Sequence, residues 1–163
     1  MTGIVRVAEP NDVGPIVRLV HELAEFEKAP EECGLTDEQL YDALFDDDPV
    51  AHALVADERG TVVGVAIWFR SFTTWEGVAG MHLEDLYVRP ENRGGGHGAR
   101  LLAALARICD ERGWARLEWN VLDWNAPAIG FYERLGAHPN DGWTTFRLTG
   151  EALAGLAGRY SSG

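Results

Sequence analysis

Apolar positions along this 163-residue chain recur with two different periods, and the switches between them mark out its elements. Ile4-Val5-Arg6-Val7 is a short β-type run. Apolar positions 13, 16, 17, 20, 23 and 24 then fall three or four apart, one face of a helix that Asn11 or Asp12 would cap, with Pro15 tolerated in its first turn. Pro30 and Gly34 interrupt the chain. Thr36-Asp37-Glu38-Gln39 has the capping-box spacing that opens a second helix, and Asp46-Asp47-Asp48-Pro49 ends it. Residues 53–56 and 61–69 are β-rich runs on either side of Asp57-Glu58-Arg59-Gly60, a hairpin signal. Another strand is predicted over 80–88. A helix with its apolar stripe at 101, 102, 105, 108 and 109 follows, closed by Gly113. Leu117, Trp119 and Val121 alternate along a further strand, Asn125-Ala126-Pro127 opens a short helix ending near Gly136, and 144–148 reads as a closing strand. The order β-α-α-β-β-β-α-β-α-β predicts one mixed α/β domain over residues 1–150. The Ala/Gly/Ser-rich stretch 151–163 reads as a tail, frayed or partly helical.

Composition narrows the function classes. Fourteen basic residues against 26 acidic ones give a net charge of −12, a field that repels nucleic acid and attracts small cations. No apolar stretch is long enough to span a membrane, no secretory pattern opens the chain, and two cysteines make no disulfide framework. A cytoplasmic protein is expected. The five histidines lack metal-ligand spacing, so no metal is expected. Cys109 falls on the apolar helical stripe and Cys33 in a loop without a paired base, which argues against a cysteine nucleophile.

The chemistry concentrates in residues 84–98, Glu-Asp-Leu-Tyr-Val-Arg-Pro-Glu-Asn-Arg-Gly-Gly-Gly-His-Gly. A strand ends in a glycine cluster and a helix begins at once, so several main-chain N–H groups and a positive helix end converge on an anion site. Other glycine motifs fit poorly: no Gly-Lys-Ser/Thr follows, and the spacing is not that of a dinucleotide fingerprint. What remains is a pyrophosphate loop, with the Glu84 carboxylate beside it.

Arg93-x-x-Gly96-x-Gly98 after a strand resembles the acyl-CoA loop of the GNAT superfamily of N-acetyltransferases. Leu83-Glu84-Asp85-Leu86-Tyr87-Val88, the stretch from Trp124-Asn125-Ala126-Pro127 through Gly130-Phe131-Tyr132 to Gly136-Ala137, and Leu23-Ala24-Glu25-Phe26-Glu27 are similar to the diamine (spermidine/spermine) N1-acetyltransferase branch, which in turn resembles enzymes acting on lysine-like amino acids. The resemblance implies a GNAT fold, with a mixed, mostly antiparallel sheet flanked by helices, and acetyl-CoA as cofactor. It implies that main-chain groups of Leu86, Tyr87 and Val88 pair with the pantetheine arm and that the segment Arg93, Gly94, Gly95, Gly96, His97, Gly98 and Ala99 cradles the pyrophosphate. Asn125 matches a cofactor contact, although a helix cap would also explain it.

An alkylammonium has a pKa of about 10 and must lose a proton before its nitrogen attacks a thioester. By resemblance Glu84 is the base, acting through water, and Tyr132 protonates the departing sulfur. Glu84 and Asp85 are neighbours on a strand and face opposite sides unless a bulge intervenes; Asp85 is then a holder of the cationic amine. Phe26, Glu27, Trp75 and Asp141 complete the amine pocket implied by the resemblance, with His82 standing where the branch tends to have an aromatic. The acceptor implied is a small cationic amine of the diamine or polyamine kind, the partner a second copy of the chain. A lysine-like amino acid, an amino sugar or a protein amine is the alternative acceptor, and a non-catalytic acyl-CoA sensor the alternative class.

Overall fold

Two β-rich runs with a two-residue connection make the hairpin that organises the sheet: Glu58 pairs with Thr61, leaving Arg59-Gly60 as the turn. The computed structural model describes residues 3–159 and resolves into two compact units, Met1–Leu122 and Asp123–Gly163. The first unit holds β1 (Ile4–Val7), α1 (Val13–Phe26), α2 (Asp37–Phe45), β2 (His52–Glu58), β3 (Thr61–Thr73), β4 (Val78–Val88), α3 (His97–Arg112) and β5 (Leu117–Trp119). Its sheet runs β1-β2-β3-β4-β5, antiparallel throughout except for the parallel β4–β5 pair.

Helices cover both faces. Val13, Ile16 and Val17 of α1 pack with Leu40 and Leu44 of α2 against Val55, Val65, Ile67 and Tyr87 of the sheet. Residues that alternate with these, Ala66 and Trp68, point the other way. There the Arg112 guanidinium of α3 lies 5.6 Å from the Trp68 ring centroid, and Leu101, Leu102, Leu105 and Cys109 form the buried stripe that periodicity predicts. The Thr36–Gln39 capping box forms, with Gln39 N–H donating to Thr36 Oγ1 at 3.2 Å and Thr36 N–H to Gln39 Oε1 at 3.1 Å.

Three expectations need correction. Neither Asn11 nor Asp12 caps α1 with its side chain. Residues Pro10–Asp12 form a 3₁₀ turn instead, and the Asp12 carboxylate accepts the Glu9 N–H at 2.7 Å while pairing with Arg6 at 2.8 Å. The strand over 117–121 stops at Trp119. The third concerns 144–148, which forms no ladder: Phe146 is 93% exposed, and the other elements of the second unit are the helices α4 (Ala126–Arg134) and α5 (Gly150–Arg159). β-propensity alone makes no strand without an edge to pair with, and this unit holds none among its described residues. The tail expected over 151–163 is helical through Arg159, and its last four residues lie outside the described ones.

Candidate active site

The β4 strand carries the site because its pairing breaks twice. On one side, Ile67 pairs with Asp85 and Trp68 with Leu83, so Glu84 is an extra residue with no β3 partner. This bulge answers the question of facing. Phe69, two residues from Ile67, pairs with His82, so His82 and Asp85 lie on one face although they are three apart. Glu84 comes to the same side: its Oε1 is 3.8 Å from His82 Nε2. Simple alternation would have separated the two carboxylates; the bulge gathers them.

On the other side, the parallel ladder with β5 covers only Met81–Leu83 against Leu117–Trp119. Beyond it β4 has no β5 partner among the described residues. Arg89 N–H reaches back to Val63 O at 3.0 Å, so by antiparallel alternation Tyr87 also faces β3. Leu86 and Val88 direct their main-chain groups into the split, where Val88 O accepts Arg93 Nε at 2.8 Å.

The glycine segment follows directly. Gly94 and Gly96 have φ of +88° and +83°, a region costly for residues with a Cβ, and Gly96 is the N-cap of α3. A Cβ on Gly94 would meet nothing within 4 Å, and one on Gly95 only its own loop at 3.9 Å. The loop therefore presents its main chain to open space at a helix N-terminus, the surface a diphosphate needs. Sequence reasoning missed Arg100. Its Nη1 donates to Gly95 O at 3.0 Å, and its Nη2 lies 3.0 Å from Nδ1 of the buried His97. Because a guanidinium only donates, His97 Nδ1 is the acceptor, which leaves Nε2 as the N–H side, 3.9 Å from Glu58. His97 thus serves the loop from inside. The i, i+3 spacing of His97 and Arg100 was the available signal.

Around the carboxylates, α1 is pinned to β4. Arg89 pairs with Glu22 at 3.1 Å, Tyr87 Oη donates to Glu22 at 3.4 Å, and the Arg93 guanidinium lies 5.3 Å and 5.5 Å from the Phe26 and Tyr87 rings. This brings Phe26 and Glu27, at the end of α1, to the same side of β4 as Asp85. Burial, then the charges of Glu84 and Glu27, push the Asp85 carboxyl up to about 6. Burial also raises Glu27. Two carboxylates held above their ordinary range would each be favoured in their charged form by a nearby cation.

A folded pKa above the unfolded one has a fixed consequence. Asp85 stabilises the fold fully below about pH 4, and that contribution is lost as pH rises through 6. Asp85→Asn should therefore melt higher than the parent at pH 7.5, by roughly 1–2 kcal/mol of stability, and match it at pH 4. Equal melting temperatures at both pH values would show that Asp85 carries no such strain.

Trp75 is not brought to this pocket. It lies in the β3–β4 turn, 86% exposed, and from Val78 to Glu84 the strand spans roughly 20 Å. In the second unit, Asn125 Oδ1 accepts Ala128 N–H at 3.3 Å and caps α4, which carries Tyr132 with its ring 5.5 Å from that of Phe131. Asp141 lies in an exposed turn of the same unit. Among the described residues no group of His, Cys, Asp and Glu is arranged to hold a metal, and no helix is long and apolar enough to cross a membrane.

A sheet split after three parallel rungs, with a glycine loop on the helix that follows and a bulged carboxylate between, defines an acyl-CoA-dependent acyltransferase. Residues 17–137 match the acetyltransferase (GNAT) family, and the chain belongs to it: it is an N-acetyltransferase whose acetyl donor is acetyl-CoA. It is 37% identical to the thialysine N-epsilon-acetyltransferase of Bos taurus, over 96% of this chain and 98% of that one. With the L-ornithine N5-acetyltransferase NATA1 of Arabidopsis thaliana it shares 28% identity, over 96% and 88%. The fold is similar to that of an integron cassette protein from the V. cholerae mobile metagenome, with a TM-score of 0.80 at 24% identity, covering 96% and 98% of the two chains.

Proposed function

We propose that this enzyme acetylates the side-chain amine of a lysine-like cationic amino acid by direct transfer within a ternary complex. The observation that carries this reading is the bulge, which sets Glu84, Asp85 and His82 on one face beside main-chain groups that no strand uses. The polyamine-type acceptor suggested by sequence is the second reading, and charge favours the first. Arg93 stands over Phe26, so the pocket's wall carries a cation beside its carboxylates. A substrate with one ammonium and one carboxylate suits that mixture; the further ammonium groups of a polyamine are repelled by the Arg93 guanidinium. The similarity to enzymes named for thialysine and ornithine supports the same choice.

In this reading Phe26, Glu27 and Asp85 hold the ammonium, and Trp75 and Asp141 join them only if the assembled enzyme brings them near. Glu84 accepts a proton from the amine through water. The Leu86 N–H, directed into the split, steadies the developing oxyanion. Main-chain groups of Leu86 and Val88 hold the pantetheine arm, whereas those of Tyr87, expected by resemblance to join them, face β3 instead; the segment 93–99 holds the diphosphate, and Asn125 a further part of the cofactor. When bound, acetyl-CoA supplies an activated thioester to the amine. Tyr132 supplies a proton for the departing thiol, so Tyr132→Phe should lower kcat about tenfold with acetyl-CoA affinity unchanged; undiminished turnover would remove Tyr132 from the chemistry.

The family match spans the junction of the two compact units, which supports reading 1–150 as one domain. A cytoplasmic homodimer completes the proposal, with exposed Phe72 and Trp75 on the β3–β4 arm as apolar surface to cover; light scattering at monomer mass would reject it. The acceptor is tested by following CoA release with thialysine, lysine, ornithine, spermidine and an aminoglycoside. A kcat/KM for thialysine at least tenfold above that for spermidine is expected, and the reverse order would return the enzyme to the polyamine class.

A further inference from the structure

His82 has no part in the chemistry so far described, yet the bulge leaves it as the ionisable side chain in contact with Glu84. Its ring is locked: the centroid lies 4.9 Å from that of Phe69, and its backbone is paired to Phe69 of β3 and Glu118 of β5. The side chain is 27% exposed, so one edge meets solvent, whereas Glu84, at 57%, is open on the side where substrates would sit. At 3.8 Å the two groups make no hydrogen bond. A small side-chain rotation would bring Nε2 within hydrogen-bond reach of the carboxylate.

We propose that His82 is a relay residue that takes from Glu84 the proton drawn from the acceptor amine and passes it to solvent. The proposal rests on Glu84 acting as base. With a thioester and an amine seated over it, Glu84 loses its own access to bulk water, and imidazole is a stronger base than a carboxyl group. The step balances simply. The Glu84 O–H bond breaks as the His82 Nε2–H bond forms, Glu84 returns to carboxylate, the ring sheds its Nδ1 proton to water, and exchange with solvent then returns a proton to Nδ1 and removes the one on Nε2, restoring the starting tautomer. No oxidant, reductant or co-reactant other than water is required.

The test compares wild type with His82→Ala and His82→Gln, using whichever primary amine the wild type turns over fastest, so that a wrong acceptor class leaves it unaffected. Both variants should melt cooperatively within a few degrees of the parent, keep KM for amine and acetyl-CoA within about twofold, and lose roughly tenfold in kcat. Free imidazole at tens of millimolar should restore most of the kcat of His82→Ala, where the ring's space is vacant, and little of that of His82→Gln. A kcat within twofold of wild type in His82→Ala overturns the relay, as does a loss that imidazole leaves untouched, the sign of a purely structural residue. Asp85 is the rival proton holder; if Asp85→Asn slows turnover and His82→Ala does not, the relay passes through Asp85 instead. A Glu84→Gln enzyme as fast as wild type near neutral pH would sink the base assignment itself, a result separable from all of these.

Discussion

Glu84→Gln should cost roughly 100- to 1,000-fold in kcat/KM near pH 7 and under tenfold near pH 10. The magnitude comes from the acceptor. With a pKa of about 10, an alkylammonium leaves roughly one molecule in a thousand as free amine at pH 7, and a built-in base offsets that scarcity. In alkali the free amine arrives already deprotonated and the base becomes redundant. Glutamine matches glutamate in size, so the bulge, which main-chain pairing with β3 defines, persists. Acetyl-CoA affinity should stay within twofold. A pH–rate profile displaced downward by the same factor at every pH would show instead that Glu84 positions the acceptor.

The second large effect concerns the donor. Gly96→Val should raise the acetyl-CoA dissociation constant at least about 100-fold while leaving a folded protein. Gly96 sits at φ +83° as the N-cap of α3, a conformation that costs a β-branched residue at least roughly 1–2 kcal/mol. The added Cβ would also lie 3.0 Å from Arg100 Nη1, the group that holds the Gly95 carbonyl. Relief by shifting Arg100 releases that carbonyl, and relief by changing φ turns the loop amides away from a common point. Both routes dismantle the anion site and spare the core, because Leu101 and Leu105 begin a turn later. Calorimetric titration reads the loss; affinity within threefold of the parent would mean that the diphosphate is held elsewhere.

Much of this site is legible in the residues alone, where the signal is local. The capping box at Thr36, the Arg59-Gly60 turn, the stripe of α3 and the glycine N-terminus of that helix each depend on spacings of two to four residues, and each forms. What sequence reading could not supply depends on partners far along the chain. The bulge at Glu84 leaves no punctuation of its own in Leu83-Glu84-Asp85; it exists because β3 pairs around it. The raised Asp85 carboxyl comes first from burial, then from Glu84 and from Glu27, 58 positions earlier, and the burial and Glu27 depend on the tertiary fold. The strand predicted at 144–148 fails for the converse reason: its alternation is genuine, but a ladder belongs to two strands, and its own unit offers none.

The brevity of the parallel β4–β5 ladder, three rungs long, has a consequence for how such an enzyme diversifies. If the donor is gripped by amides and carbonyls at Leu86 and Val88, those contacts survive nearly any replacement of the side chains that hang from them. Recognition of the universal half of the reaction is then written in the polymer, and recognition of the variable half in the side chains at the end of α1 and at the bulge. A lineage could exchange one amine for another by editing a handful of those positions, without ever relearning how to hold its acetyl source.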